Sequence, residues 1–404
     1  MRSNYELLGK YIRKVNVRNE GSQITNLKGI NIDKEFMPSV ANTIGSNMAK
    51  YKVVSRWQFA YNPMHVGRDE VLPICLLTED EKIIVSPAYT VFEVNDKSKL
   101  DPEYLMMWCR RPEFDRNAWF TTDNSVRGGF SWESFCEMQL PVPSIEKQRE
   151  IVAEYNTVVN RIQLNEQINQ KLEETAKTIY RQWFEEFEFP ISKEYADSIG
   201  KPELEGEPYK SSGGEMVYNE ELDEEIPKGW EVSNLKNYLT LNYGKSLPSY
   251  KRIAGEIPVY SSAGKTGVHK SSLIKEDCII IGRKGSIGTL YYVSEPSFCI
   301  DTAYFIKESD SFFPLYYSFM LLKHLNLPNL NEDSAVPGLS RDTVYSLKVI
   351  NPSNESLQMF SSLMKTLVKY IERNITESKN IEGLEALLLS KMTKIKAYKK
   401  EVVK

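Results

Sequence analysis

Two long stretches of helical periodicity constrain this chain more than any other feature. Over residues 144–187, Val152, Tyr155, Val159, Ile162, Ile168, Leu172, Ala176, Ile179 and Trp183 recur every third or fourth position. Over residues 353–400, Leu357, Phe360, Leu363, Leu367, Ile371, Ile381, Leu384, Leu388, Met392 and Ile395 do the same. Each stretch opens on a proline and a capping serine, Pro143-Ser144 and Pro352-Ser353, followed by a first-turn glutamate, Glu146 and Glu355. No proline or glycine interrupts either until Gly383. At about 1.5 Å per residue the first helix reaches roughly 66 Å, too long for one compact domain to cover, so the two helices are expected to pack on each other.

The chain also repeats itself. Adding 209 to the numbering lays Gly129, Ser131 and Pro143 on Gly338, Ser340 and Pro352. The same shift carries Ile151, Val159, Ile162, Asn165 and Ile179 onto Phe360, Val368, Ile371, Asn374 and Leu388 without a gap. Upstream the register drifts: Leu8 and Tyr11 match Leu235 and Tyr238, and Ala88-Tyr89 matches Ala303-Tyr304. The expected order is an α+β domain over residues 1–142, a long helix over 143–189, a linker over 190–228, a second α+β domain over 229–350 and a second long helix over 351–404. Because each helix leaves its own domain and the chain must return, antiparallel packing with an approximate two-fold axis is expected. Asn165 and Asn374, matched by the repeat, either sit near the helix crossing and set its register or face solvent.

The formal net charge of −4 has the wrong sign for a phosphate binder until its distribution is considered. Between Pro190 and Lys228 eleven acidic residues face four lysines, a net −7, which leaves +3 for the remainder. That excess is small, and tight DNA binding at physiological salt would need basic surface from a partner. The five cysteines are scattered without a CxxC pair, which suits free thiols in a reducing, cytoplasmic setting. No signal peptide and no run of roughly 18 apolar residues is present, so no membrane association is expected.

Enzyme motifs fail on spacing. Gly244-Lys245-Ser246 and Gly264-Lys265-Thr266 end like phosphate loops, but the glycine required five positions earlier is replaced by Leu239 and Val259. Asn62-Pro63-Met64-His65 lacks the second proline and the aromatic of an amino-methyltransferase loop. His65, His269 and His324 form no metal-binding pattern, and Glu276-Asp277 has no further carboxylate or lysine to complete a nuclease site. No catalytic residue, metal or cofactor is assigned. Residues 278–306 are different: an apolar strand runs into Gly282-Arg283-Lys284-Gly285-Ser286-Ile287-Gly288 and out into a second strand. Arg283, Lys284 and Ser286 on a glycine-rich connection suit phosphate or guanine-edge contact, against the alternative of a solvated hairpin turn. Lys245, Ser246, Lys251, Arg252 and Lys265 add basic, aromatic-flanked loops. In the first half the candidates for DNA contact are Arg56, Tyr61, Arg68, Arg127 and Trp132.

With these residues in view, the chain resembles the specificity subunits of type I restriction-modification systems over essentially its full length. The resemblance rests on residues 226–239 (IPKGWEVSNLKNYL), 281–292 (IGRKGSIGTLYY), 301–305 (DTAYF), 337–352 (PGLSRDTVYSLKVINP), 143–151 (PSIEKQREI) and 209–222 (YKSSGGEMVYNEEL). The first half departs from the pattern, since its loop from Tyr61 to Arg68 has no GRKGS phrase. The resemblance implies two tandem target recognition domains joined by antiparallel coiled-coil helices. Each domain would read half of an asymmetric bipartite site on double-stranded DNA, while the helices set the gap and dock two methyltransferase subunits. Those partners would bind S-adenosylmethionine and methylate adenine, and restriction subunits that translocate DNA would join through them. Trp183, Phe184, Phe187 and Phe189 are either part of the docking face or a core of this chain. Two other readings remain: a specificity module of another restriction-modification assembly, and a coiled-coil scaffold that binds no DNA.

Overall fold

A computed structural model describes residues 5–39, 47–64, 66–122, 129–331 and 338–392. The chain divides into two compact units, Met1–Glu166 with Ile375–Lys404 and Gln167–Asn374. The divisions fall inside the long helices rather than at their ends. Each unit therefore holds one mixed α/β domain and half of each helix.

The first long helix spans Ile145–Phe184 and the second Asn354–Lys391. Ser144 accepts from the Lys147 amide at 3.4 Å and Ser353 from the Ser356 amide at 3.2 Å, so both capping serines act where the sequence places them. The first helix stops three residues short of the expected Phe187, which takes a left-handed φ of 62°. Within the first unit, Tyr155 donates to Glu385 at 2.8 Å, Arg161 grips Glu377 at 2.8 Å and Asn165 donates to Ser378 at 3.2 Å. Within the second, Asn374 donates to Asn169 at 2.9 Å and the Phe360 ring lies 6.1 Å from that of Tyr180. From Tyr155 to Asn165 the partner moves back from Glu385 to Ser378, and from Asn169 to Tyr180 it moves back from Asn374 to Phe360, which is antiparallel packing.

Asn165 is fully buried, so the solvent-facing alternative does not hold for it. The shift of 209 turns Asn165 with Ser378 into Asn374 with Asn169. One hydrogen-bonded pair has thus been kept in both halves, and a buried amide that finds its partner only in one alignment resists a slip of the helices.

The domain of the first unit is built on a four-stranded antiparallel sheet in the order Ile12–Val15, Thr90–Val94, Gln58–Tyr61, Ile74–Leu76. That of the second has the order Asn242–Tyr243, Ala303–Lys307, Cys278–Gly282, Leu290–Val293, again antiparallel. The Cys278–Gly282 strand is buried along its whole length, which explains its unbroken apolar sequence. The repeat seen in the sequence is physical. Leu8 donates to the Met138 carbonyl and Leu235 to the Leu347 carbonyl, each at 2.8 Å. Ser131 and Ser340 both cap short helices, Trp132–Glu137 and Arg341–Ser346.

The acidic segment departs from the linker expected of its composition. It forms a short helix, Lys193–Ser198, and a hairpin of Met216–Asn219 with Glu224–Pro227. Its anchors are rings: Phe189 stacks on Tyr209 at 4.6 Å and on Trp230 at 4.9 Å. Tyr209 lies within the charged stretch and Phe189 and Trp230 flank it, so the rings that hold it together are far apart in sequence. Phe184, Phe187 and Phe189 are all buried in the core of the second unit, with Trp183 packed at its edge, so their role is internal.

Candidate nucleic-acid interface

The register of the second sheet brings distant loops together. Tyr243 pairs with Tyr304, Gly282 with Ala303 and Ile281 with Leu290, so four strand ends lie along one end of the sheet. Backbone hydrogen bonds then tie the loops that leave these ends. Lys245 donates to the Cys299 carbonyl, and both Arg283 and Lys284 donate to that of Thr302, each at 3.0 Å. The Ser262 carbonyl accepts from the Thr289 hydroxyl at 2.5 Å, drawing in the turn that precedes Lys265. The result is one surface with exposed Lys245, Ser246, Lys265, Lys284 and Ser286, although these residues come from three separate segments.

The glycines shape this surface. Gly285 and Gly288 take φ of 80° and 70°, which side chains with a Cβ avoid. A Cβ on Gly282 would lie 2.0 Å from the Ser286 carbonyl oxygen, so the loop closes only over glycine. Gly282→Ala is expected to cost about 1–3 kcal/mol by overpacking and to displace Arg283 and Lys284. Urea denaturation with an unchanged midpoint would show that the loop relaxes freely.

Arg283 and Arg341 converge on one ring: their guanidinium carbons lie 4.9 Å and 5.2 Å from the centre of Tyr243. Arg283 also lies 5.6 Å from the Tyr304 ring, and Arg341 5.8 Å from that of Tyr345. Leu339 donates to the Arg283 carbonyl at 2.9 Å, while the Tyr304 hydroxyl donates to the Leu339 carbonyl at 3.0 Å. Residues 338–342 are thereby fastened to the loop and close a cavity of about 340 Å³ with Tyr243, Arg283, Lys284 and Tyr304. Burial, reinforced by the neighbouring Tyr243 hydroxyl, raises the Tyr304 phenol above its ordinary range and keeps it neutral. Among the described residues, neither arginine forms a salt bridge, and Arg341 Nε is buried without a hydrogen-bond partner.

The remaining candidates divide. Lys251 is exposed at the end of the turn Ser249–Lys251, next to Tyr250 at 81% exposure. Arg252 instead braces the fold, donating to the Thr266 carbonyl at 2.6 Å. Arg56 is exposed and donates to the Glu79 carbonyl at 2.7 Å. Tyr61 is not a surface residue at all: it is 0% exposed, its ring 5.4 Å from Phe135 and 6.2 Å from both Phe92 and Phe130, so it serves the core. Trp132 is half-buried, 5.7 Å from Phe92. Arg68 belongs to the helix Val66–Asp69, its side chain outside the described residues, as is the whole of Arg127. Sequence reasoning missed Tyr243 and Arg341, which lie about a hundred positions apart and meet through the pairing of the Tyr243 strand with the Tyr304 strand and the hydrogen bonds that tie Leu339 to Arg283 and Tyr304.

No three His, Cys, Asp or Glu side chains among the described residues are gathered as a metal cage requires. No described helix is long and apolar enough to cross a membrane. All five cysteines are free; Cys75, Cys109, Cys278 and Cys299 are buried and Cys136 half-buried. Burial pushes the Cys75 and Cys278 thiols up to about 11 and those of Cys109, Cys136 and Cys299 upward as well.

Two such units on halves of an antiparallel helix pair define a restriction-modification S-subunit fold: the crystal structure of the type I S subunit from M. genitalium matches with a TM-score of 0.60, covering 96% of this chain and 95% of that one at 14% identity. The sequence is more particular, for residues 227–383, which include the whole loop cluster, match the family "Type I restriction modification DNA specificity domain". The chain is related to type I specificity subunits. It is 25% identical to the type I restriction enzyme MjaIX specificity subunit of Methanocaldococcus jannaschii over 279 residues, 63% of this chain and 60% of that relative. It is 21% identical over 407 residues to the type I restriction enzyme HindI specificity subunit of Haemophilus influenzae, covering 84% of this chain and 86% of the other.

Proposed function

We propose that this chain is the non-catalytic sequence reader of a type I restriction-modification assembly. Each unit presents one target recognition domain to double-stranded DNA, and together they read an asymmetric bipartite site. Two methyltransferase subunits dock on the chain, and restriction subunits join through them. The observation that carries this reading is the convergence of Lys245, Lys265, Arg283, Lys284 and Arg341 on one end of a rigid sheet. A cluster of cations and ring-buttressed guanidiniums without carboxylate partners among the described residues is suited to a polyanion. The modest charge of the whole chain fits a reader whose partners supply the rest of the clamp.

Sequencing of genomic DNA for N6-methyladenine, in the host strain and in one lacking this gene, tests the reading. The expected result is loss of methylation at one bipartite motif while every other methylated motif is retained. An identical methylome in a strain that transcribes the gene together with its methyltransferase partner would count against it.

A further inference from the structure

The cavity between Arg283 and Arg341 differs from the rest of the basic surface because its cations are fixed. We propose that it is a socket for a single backbone phosphate, with Arg341 as the principal ligand, so that this part of the second unit anchors DNA without reading its sequence. The proposal rests on the DNA-reading function above and divides the labour within it.

Three observations carry it. First, both guanidiniums are oriented before any ligand arrives: Tyr243 lies within about 5 Å of each, and second rings, Tyr304 for Arg283 and Tyr345 for Arg341, lie within 6 Å. Stacking fixes the plane of a guanidinium and leaves its N–H edge for an oxyanion. Second, Arg341 Nε is a buried donor without a partner, an unmet hydrogen bond that an incoming acceptor would satisfy. Third, the cavity is concave, with Lys284 and Ser340 on its wall. A recessed cup suits a phosphate, which protrudes from the duplex, better than a base edge, which lies in the floor of a groove and is reached by projecting side chains. Asp342 also lines the cup but makes no ion pair with either arginine.

The repeat makes the socket a property of one half. The residue matched to Arg341 by the shift of 209 is Trp132, which packs against Phe92 and Phe135 in the first unit. The two recognition domains therefore hold DNA by different chemistry.

The test uses the full chain assembled with its methyltransferase partner, and duplexes bearing either the methylated motif or a scrambled sequence. Arg341→Ala is expected to weaken binding to both duplexes by roughly tenfold. It is also expected to lower the slope of log affinity against log salt by about one. Arg341→Lys should restore the salt slope but only part of the affinity, because the ammonium keeps the charge and loses the ring-fixed N–H edge. Duplexes with one neutral methylphosphonate at successive positions give a second readout that does not depend on how the variant folds. The wild type should lose affinity at one linkage in the second half-site, and Arg341→Ala should be indifferent to that same linkage. Loss of affinity for the motif duplex alone, or a variant still sensitive at every linkage, would overturn the phosphate assignment while leaving the reader role intact. Failure of the wild-type complex to bind either duplex would overturn both.

Discussion

Phe360→Ala is expected to remove about 3–5 kcal/mol from the second unit. The ring is 0% exposed and lies where the second long helix meets the first: 5.0 Å from Phe184, 5.9 Å from Trp183, 6.1 Å from Tyr180 and 6.2 Å from Tyr317. Tyr317 belongs to the helix Leu315–His324 of the recognition domain, so one side chain joins that domain to both long helices. Its neighbours are themselves large rings, three on the first long helix and one on Leu315–His324, and they cannot all shift to fill the void. Hydrogen exchange followed by mass spectrometry reads the effect locally. Amides of residues 176–184 and 354–366 should exchange roughly two to three orders of magnitude faster, because each 1.4 kcal/mol is about a factor of ten. A change below tenfold would mean that the cluster repacks and that Phe360 is not its centre.

The second large effect concerns charge. Lys34 and Asp115 meet at 2.7 Å with side chains 5% and 14% exposed, and the ammonium also donates to the Cys109 carbonyl. The ammonium lies 4.9 Å from the Phe114 ring, and the carboxylate accepts from the Leu72 amide at 3.1 Å. Burial lowers the lysine pKa and raises that of the aspartate, each against its own charge, and the partner offsets both. Removing one member leaves the other buried and uncompensated, so Lys34→Met should cost about 3–5 kcal/mol. The pair itself is worth far less. Lys34→Met combined with Asp115→Asn should regain at least half of the loss, since the amide oxygen keeps the Leu72 bond and needs no counter-charge. Urea denaturation of the single and double variants separates these cases. A single variant within 1 kcal/mol of wild type would show that water reaches the site.

The legible part of this molecule was the part written in periodicity. Apolar spacing located the first long helix to within three residues and the start of the second to within one, and the shift of 209 found a repeat that recurs in hydrogen bonds such as those of Leu8 and Leu235. The loop from Gly282 to Gly288 was legible because glycines and cations interrupt an apolar run. Tyr243 and Arg341 were not, because nothing in either neighbourhood signals that the fold will set the Arg341 guanidinium over the Tyr243 ring. Tyr61 looked like a surface aromatic beside a polar loop, yet it ends the Gln58–Tyr61 strand, whose last three residues are all buried. The acidic segment misled in the opposite sense: its charges suggested a linker, whereas it forms a short helix and a hairpin packed about Phe189, Tyr209 and Trp230. In each case the deciding contact lay far away in sequence, where local composition carries no information.

The state of the cysteines has a practical consequence for watching this molecule at work. Maleimide dyes react with thiolates, and a thiol that is buried with its pKa raised offers little thiolate at neutral pH. Four of the native thiols are shielded in this way and Cys136 is half-shielded. A cysteine introduced at an exposed site, such as Lys245 or Lys284, would outcompete them for label. Fluorescent reporters can therefore be placed beside the loop cluster without first stripping the native cysteines from the cores they fill.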